Sequence, residues 1–167
     1  KIAQAWDEDP RSQVVAGADI NEKFLDKFRH TYAANDPFTT TDYRELIARD
    51  DIDAVGVFTP DPLHCEPTVQ ALRAGKHVFV EKPMAISIEE ADEMLRASRE
   101  TGNKLMVAHN MRYMDRYITL KQIIDSGKLG EVKAIWMRHF CGKAGYWWFH
   151  DYRATREGSN TILLAKG

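Results

Sequence analysis

The 167-residue sequence is poor in most of the features that announce a special environment. It has no apolar run approaching the roughly 18 residues that cross a bilayer, and no basic-then-apolar leader at its start. No membrane partner is expected. Cysteine occurs only as Cys65 and Cys141, far apart and outside any CxxC or Cys/His ligand spacing. Neither a disulfide framework nor a zinc site follows, no metal is expected, and a reducing compartment such as the cytoplasm is the expected location. A basic surplus is missing too: Lys+Arg 23 against Asp+Glu 25 gives a formal net charge of -2, with the cations scattered rather than striped. Nucleic acid is therefore not an expected partner. Ten glycines are present, but none forms the GxGxxG loop that cradles a dinucleotide pyrophosphate.

What remains is an ordinary globular composition, 44% hydrophobic and 29% charged, at a length that suits one domain and part of a second. Residue 1 is Lys, and "SNTILLAKG" stops inside an apolar run. The chain is expected to be a fragment of a longer protein, with a first strand and Gly-rich turn preceding Lys1.

Up to about residue 109 short apolar runs alternate with helical patterns. "KIAQAW" reads as a helix end, closed by the turn formers of "DEDPRS". "QVVAGAD" then predicts a strand and "NEKFLDKFRHTY" a helix with Asn21 as N-cap. Helix "DYRELIAR", strand "DAVGVF", a helix from about His64 to Arg73, strand "HVFVE", helix "SIEEADEMLRASRET" and strand "KLMVAH" follow. Nearly all-apolar strands separated by helices predict parallel βαβ units with both sheet faces covered, a Rossmann-type doubly wound α/β fold. Residues 1–109 are assigned to this domain. Beyond it, helix "DRYITLKQIIDSG" leads into "EVKAIWMRHF", with Trp136, Arg138 and Phe140 on one side. This run predicts the first strand of a second, α+β domain with a mainly antiparallel sheet, over 110–167.

In a doubly wound sheet, ligands bind outside the carboxyl ends of the strands. The endings here are Asp19, "TPDPLH" (59–64), "EKP" (81–83) and "HN" (109–110). Asp19 can accept hydrogen bonds from the ribose hydroxyls of an adenine dinucleotide, and its charge disfavours a 2'-phosphate; equally, an Asp after a strand can simply open a turn. Thr59, Pro60 and His64 either face a cofactor from a fixed turn and a helix start, or form a rigid loop with a surface His. Lys82 is the most suggestive residue. Pro83 keeps it out of the α region, so its amine is directed from the strand end toward the crevice, where an amine can exchange a proton with a substrate hydroxyl. The alternative is a lysine lying along the surface and paired with Glu81.

Taken together, "TPDPLHCEPTVQALRAGKHVFVEKPMA" followed by "HNMRY" resembles the nicotinamide-dependent oxidoreductases of the glucose-fructose oxidoreductase and inositol dehydrogenase (Gfo/Idh/MocA) family, over nearly the whole chain. TP, AGKHV and EKP in this order and spacing are specific; EKP alone is not. The resemblance implies a dehydrogenase of sugars, cyclitols or related polyols that uses NAD, with NADP as the alternative, and oligomerises through the second-domain sheet. It implies that Lys82 is the catalytic lysine on the reacting oxygen, and that Pro83 follows a cis bond. By the same resemblance Asp19 falls at the ribose, Thr59, Pro60 and His64 line the cofactor, and Glu81 and Asn110 lie beside the nicotinamide. Arg112 falls at a substrate position, or is a surface charge entering a helix, and Arg138 is a further substrate candidate. Family members commonly carry an Asp two residues before a Gly and the catalytic His two residues after it; "LLAKG" has Ala165 in place of the Asp, next to Lys166. That departure keeps a non-catalytic nucleotide-sensing or regulatory protein open, and a glycosidase-type elimination that uses NAD transiently is a further alternative among enzymes. "CGKAGYWWFHDYRATREGSN" is rich in aromatics suited to sugar faces, though two of Tyr146, Trp147 and Trp148 are expected to serve in packing.

Overall fold

The structure, a computed structural model, describes residues 2–138. Helix α1 (Ile2–Glu8) is followed by β1 (Ala16–Ala18), α2 (Glu22–Thr31), β2 (Phe38–Thr40), α3 (Tyr43–Ile47) and β3 (Ala54–Val57). Then come α4 (Cys65–Arg73), β4 (His77–Val80), α5 (Ile88–Thr101), β5 (Leu105–Val107) and α6 (Asp115–Asp125). Every strand pairing is parallel, in two ladders: β1 with β2, and β3–β4–β5 with β4 in the centre.

The helices divide between the two faces, and the pleat shows how. Along β4, Val78 and Val80 are buried and join the core with Leu72 of α4 and Met94 and Ala97 of α5. Phe79, between them, points the other way and meets Trp6 of α1 edge-on at 5.2 Å. Residues i and i+2 of a strand share a face, so α1 lies opposite α4 and α5. The same division holds in the smaller ladder. Ala16 and Ala18 pack on the core that contains Leu46 and Ile47 of α3, whereas a Cβ on Gly17 would stand 2.7 Å from the Phe28 ring of α2. Helices on both faces of parallel strands make the fold doubly wound, as the alternation of apolar runs predicts.

Local chemistry sets the helix ends. Asn21 caps α2 by accepting the Lys23 N–H, as expected for that residue type. Ser87 accepts the Glu90 N–H at the start of α5 while the Glu90 carboxylate accepts the Ile86 N–H, and α5 ends on Gly102 at φ 72°, a conformation glycine adopts without a Cβ clash.

Two readings of the sequence are corrected. Strand β2 was not anticipated: it has three residues, "FTT", too few to show an alternation, and only its pairing with β1 defines it. Residues 131–138, predicted as a strand, form no ladder among the described residues and are exposed; a strand needs a hydrogen-bonded neighbour that its own pattern does not supply. The remainder of that run, the aromatic segment 141–160 and "LLAKG" lie outside the described residues.

Candidate active site

The register of the larger ladder builds the site. Val57 of β3 pairs with Val80 of β4, so the two chains leave the sheet side by side. The Glu81 N–H donates to the Val57 carbonyl at 3.0 Å, and across β5 the Ala108 N–H donates to Val80 at 2.8 Å. Three loops therefore emerge on one edge: 58–64, 81–87 and 108–114.

In the central loop the Lys82–Pro83 peptide is cis, as the resemblance implied. The Glu81 carboxylate turns back and accepts the Lys82 N–H at 2.8 Å. Both Glu81 and Lys82 are half-buried and Pro83 is buried. In the first loop the Thr59 hydroxyl donates to the Leu63 carbonyl at 2.8 Å, and the Leu63 N–H donates to Pro60 at 2.7 Å. Thr59 is exposed and Pro60 half-buried at this edge. In the third loop Asn110 and Arg112 are exposed on a short 3-10 turn, Asn110–Tyr113, with the Arg112 N–H on the His109 carbonyl at 3.0 Å.

His64 differs most from its sequence reading. It is 1% exposed, so it is not a surface residue. Its Nδ1 stands 2.7 Å from the Pro83 carbonyl oxygen and its Nε2 2.9 Å from that of Thr59. Both ring nitrogens thus lie within hydrogen-bonding distance of main-chain carbonyls, in two of the three loops. The "LHCEPT" pattern opening a helix shows where His64 sits along the chain but contains nothing about Pro83, 19 residues away.

Asp19 stands at the corresponding edge of the smaller ladder. Its N–H donates to the Thr40 carbonyl at the end of β2, 3.2 Å away. Its Oδ1 accepts the Asn21 N–H at 2.8 Å, so the turn-opening role is realised. The same bond holds the carboxylate at the carboxyl edge of the ladder. Thr40 was missed in the sequence because β2 was missed. Arg138 is exposed, and among the described residues its guanidinium lies over the Trp136 ring at 5.8 Å.

Parallel strands covered on both faces, with polar loops gathered at their carboxyl ends, define a dinucleotide-binding α/β protein of the Rossmann class. Residues 1–109 match the family model of the Gfo/Idh/MocA oxidoreductases, described as an oxidoreductase family with an NAD-binding Rossmann fold, and the chain belongs to that family. It is 41% identical over 92 residues to 1,5-anhydro-D-fructose reductase of Ensifer adhaerens, covering 55% of this chain and 28% of that one. It is 40% identical over 92 residues to 2,7-anhydro-N-acetylneuraminate hydratase of Mediterraneibacter gnavus, covering 55% and 25%. Among solved structures, scyllo-inositol dehydrogenase from Lactobacillus casei with bound NAD(H) and scyllo-inositol matches with a TM-score of 0.69 at 27% identity, over 74% of this chain and 36% of that one. The matched part of the chain thus spans between a quarter and about a third of the length of these relatives. Among the described residues no helix is long and apolar enough to cross a membrane, and no group of His, Cys, Asp and Glu is arranged to hold a metal ion.

Proposed function

We propose that this chain is the nucleotide-binding part of a nicotinamide-dependent dehydrogenase that oxidises a secondary hydroxyl of a sugar, cyclitol or related polyol, or reduces the corresponding carbonyl. One observation carries the reading: in a chain of this family, Lys82 sits on a cis-proline loop at the carboxyl end of the central strand β4, with Thr59–His64 beside it. The nicotinamide cofactor, when bound, would supply the hydride acceptor for oxidation of the alcohol and, in its reduced form, the hydride donor for reduction of the carbonyl. Asp19 would hold the adenosine ribose, and its negative charge favours NAD over NADP. Thr59, Pro60, Glu81 and Asn110 would border the nicotinamide end. The Lys82 Nζ would bind the reacting oxygen and take or return its proton, and Arg112 and Arg138 would orient the substrate's hydroxyls.

The hydratase among the relatives favours a second reading, in which the same lysine serves an elimination or hydration with no net change in the cofactor. Residues 110–167 are assigned to a substrate domain through which the protein forms a homo-oligomer. Two cysteines outside any disulfide or metal-ligand spacing favour a reducing compartment such as the cytoplasm.

The fragment by itself is expected to be inactive, so the test is turnover of a panel of polyols and sugars by the full-length protein with NAD and with NADP, followed by nicotinamide absorbance, alongside product analysis for the redox-neutral route. Turnover that disappears in Lys82→Ala is the expected result. Undiminished turnover in Lys82→Ala, or no turnover of any panel member by the unsubstituted protein, counts against the reading.

A further inference from the structure

We propose that His64 is a positioning residue that clamps the Lys82 loop to the loop leaving β3 and thereby sets where the lysine amine stands. The role in reaction rests on the reading of Lys82 as the proton-handling group; the clamp itself does not.

Pro83 has no N–H to give, the Lys82 N–H is committed to the Glu81 carboxylate, and the Glu81 N–H to Val57. The first is made within the turn and the second prolongs the strand ladder. The bond from the His64 Nδ1 to the Pro83 carbonyl, 2.7 Å long, ties the turn to a different loop. Pro83 directly follows Lys82, so holding its carbonyl holds the backbone from which the lysine side chain departs.

The other end of the clamp is rigid. His64 begins α4, in which Cys65, Pro67, Thr68, Val69, Ala71 and Leu72 are all buried. Its Nε2 reaches back to the Thr59 carbonyl at 2.9 Å, in a loop already closed by the Thr59 hydroxyl on Leu63. Burying an imidazole is costly unless its polar atoms are bonded, and a packing role alone would be met by an apolar side chain. Here both polar atoms face acceptors, one in each of the two loops that border the proposed site. A carbonyl oxygen only accepts, so a ring nitrogen that bonds one must carry the hydrogen; a neutral ring has one such N–H and the imidazolium two. Leucine supplies no donor, whereas a glutamine carboxamide supplies two from one nitrogen.

The experiment compares His64→Leu and His64→Gln in the full chain by three readouts: backbone amide exchange at Lys82, Met84, Ala85 and Ile86, affinity for NAD, and kcat on the polyol found active. His64→Leu is expected to speed exchange over 82–86 while amides of α5 and β5 keep their protection. It is expected to lower kcat by about 100-fold, the scale of an ångström-sized misplacement, with a smaller rise in the Kd for NAD, since the other end of the clamp is the Thr59 loop at the nicotinamide end. His64→Gln is expected to recover part of both losses. Unchanged exchange over 82–86 in His64→Leu overturns the clamp, and so does loss of protection spread evenly over the whole domain. Changed exchange with unchanged kcat overturns the positioning role. Should the unsubstituted protein turn over no substrate, the dehydrogenase reading fails, and exchange alone decides the clamp. If His64→Leu does not fold, His64→Asn, shorter by one methylene and unable to span both carbonyls, takes its place against His64→Gln.

Discussion

The carboxylate of Glu81 accepts the backbone N–H of Lys82 at 2.8 Å. Adjacent residues in a regular strand point to opposite faces, which would separate their side chains, but β4 ends at Val80, and past that point the acidic side chain serves the main chain of its neighbour. Glu81→Ala is expected to lower the unfolding free energy by about 1.5–3 kcal/mol, the range for a lost hydrogen bond to a charged acceptor. Glu81→Gln, which keeps an acceptor oxygen, is expected to lose less than half of that. Urea denaturation of the two variants checks the order, and equal losses would show that charge rather than acceptance matters.

Thr68 on α4 is fully buried, and its hydroxyl oxygen has no hydrogen-bond partner among the described residues. An orphaned buried hydroxyl is a standing cost, and valine reproduces its shape without the polar atom. Thr68→Val is expected to raise stability by about 1 kcal/mol, seen as a higher urea midpoint with an unchanged slope. A drop in stability would mean that the hydroxyl has a partner.

Cys65 is 8% exposed, and burial first, then the nearby Glu93, Glu90 and Glu66 carboxylates, push its thiol up from 9.0 to about 11. Below pH 9 the thiol is protonated in both folded and unfolded chains. As pH rises from 9 toward 11 the unfolded thiol ionises while the buried one holds its proton, so stability falls across that window. Tyr32 and Tyr43, raised chiefly by burial, act in the same direction above pH 10. In a Cys141→Ser background the native protein is expected to resist iodoacetamide at pH 8 and to react once unfolded. Unfolding free energy measured from pH 8.5 to 10.5 should decline less steeply when Cys65 is replaced by Ala. Rapid native labelling or an unchanged slope would contradict the shift.

Gly56 in β3 is where the opposite face leaves no room. A Cβ there would stand 2.6 Å from the Phe58 ring and 2.9 Å from Trp6, and both rings belong to the aromatic cluster with Phe79. Gly56→Val is expected to destabilise by about 1–3 kcal/mol through overpacking. The loss should shrink when Phe58 is also shortened to Ala, and additivity of the two substitutions would refute the clash.

Much of this was legible in the sequence because its signals are local. Val78, Phe79 and Val80 announce a buried strand by composition, Asn21 and Ser87 stand at helix starts, and Pro83 beside Lys82 marks a constrained turn. These depend on residues within a few positions of each other, where pleat, helical period and proline geometry act directly. The motif residues of "EKP" and "TPDPLH" could be carried onto the strand ends for the same reason.

Pairing was not legible. Strand β2 exists because Phe38–Thr40 found β1, and 131–138 carries a strand-like pattern without a ladder among the described residues. His64 shows the difference most plainly. Its place at the head of α4 was determined by the sequence around it, whereas its burial and its two carbonyl partners were decided by the Val57–Val80 register, which brings the ends of β3 and β4 together. The sequence alone determined the alternation of strands and helices and the identity of the residues at the strand ends. Tertiary structure decided which of those residues face the crevice and which hold the others in place, since main-chain hydrogen bonds between distant segments leave no trace in side-chain order.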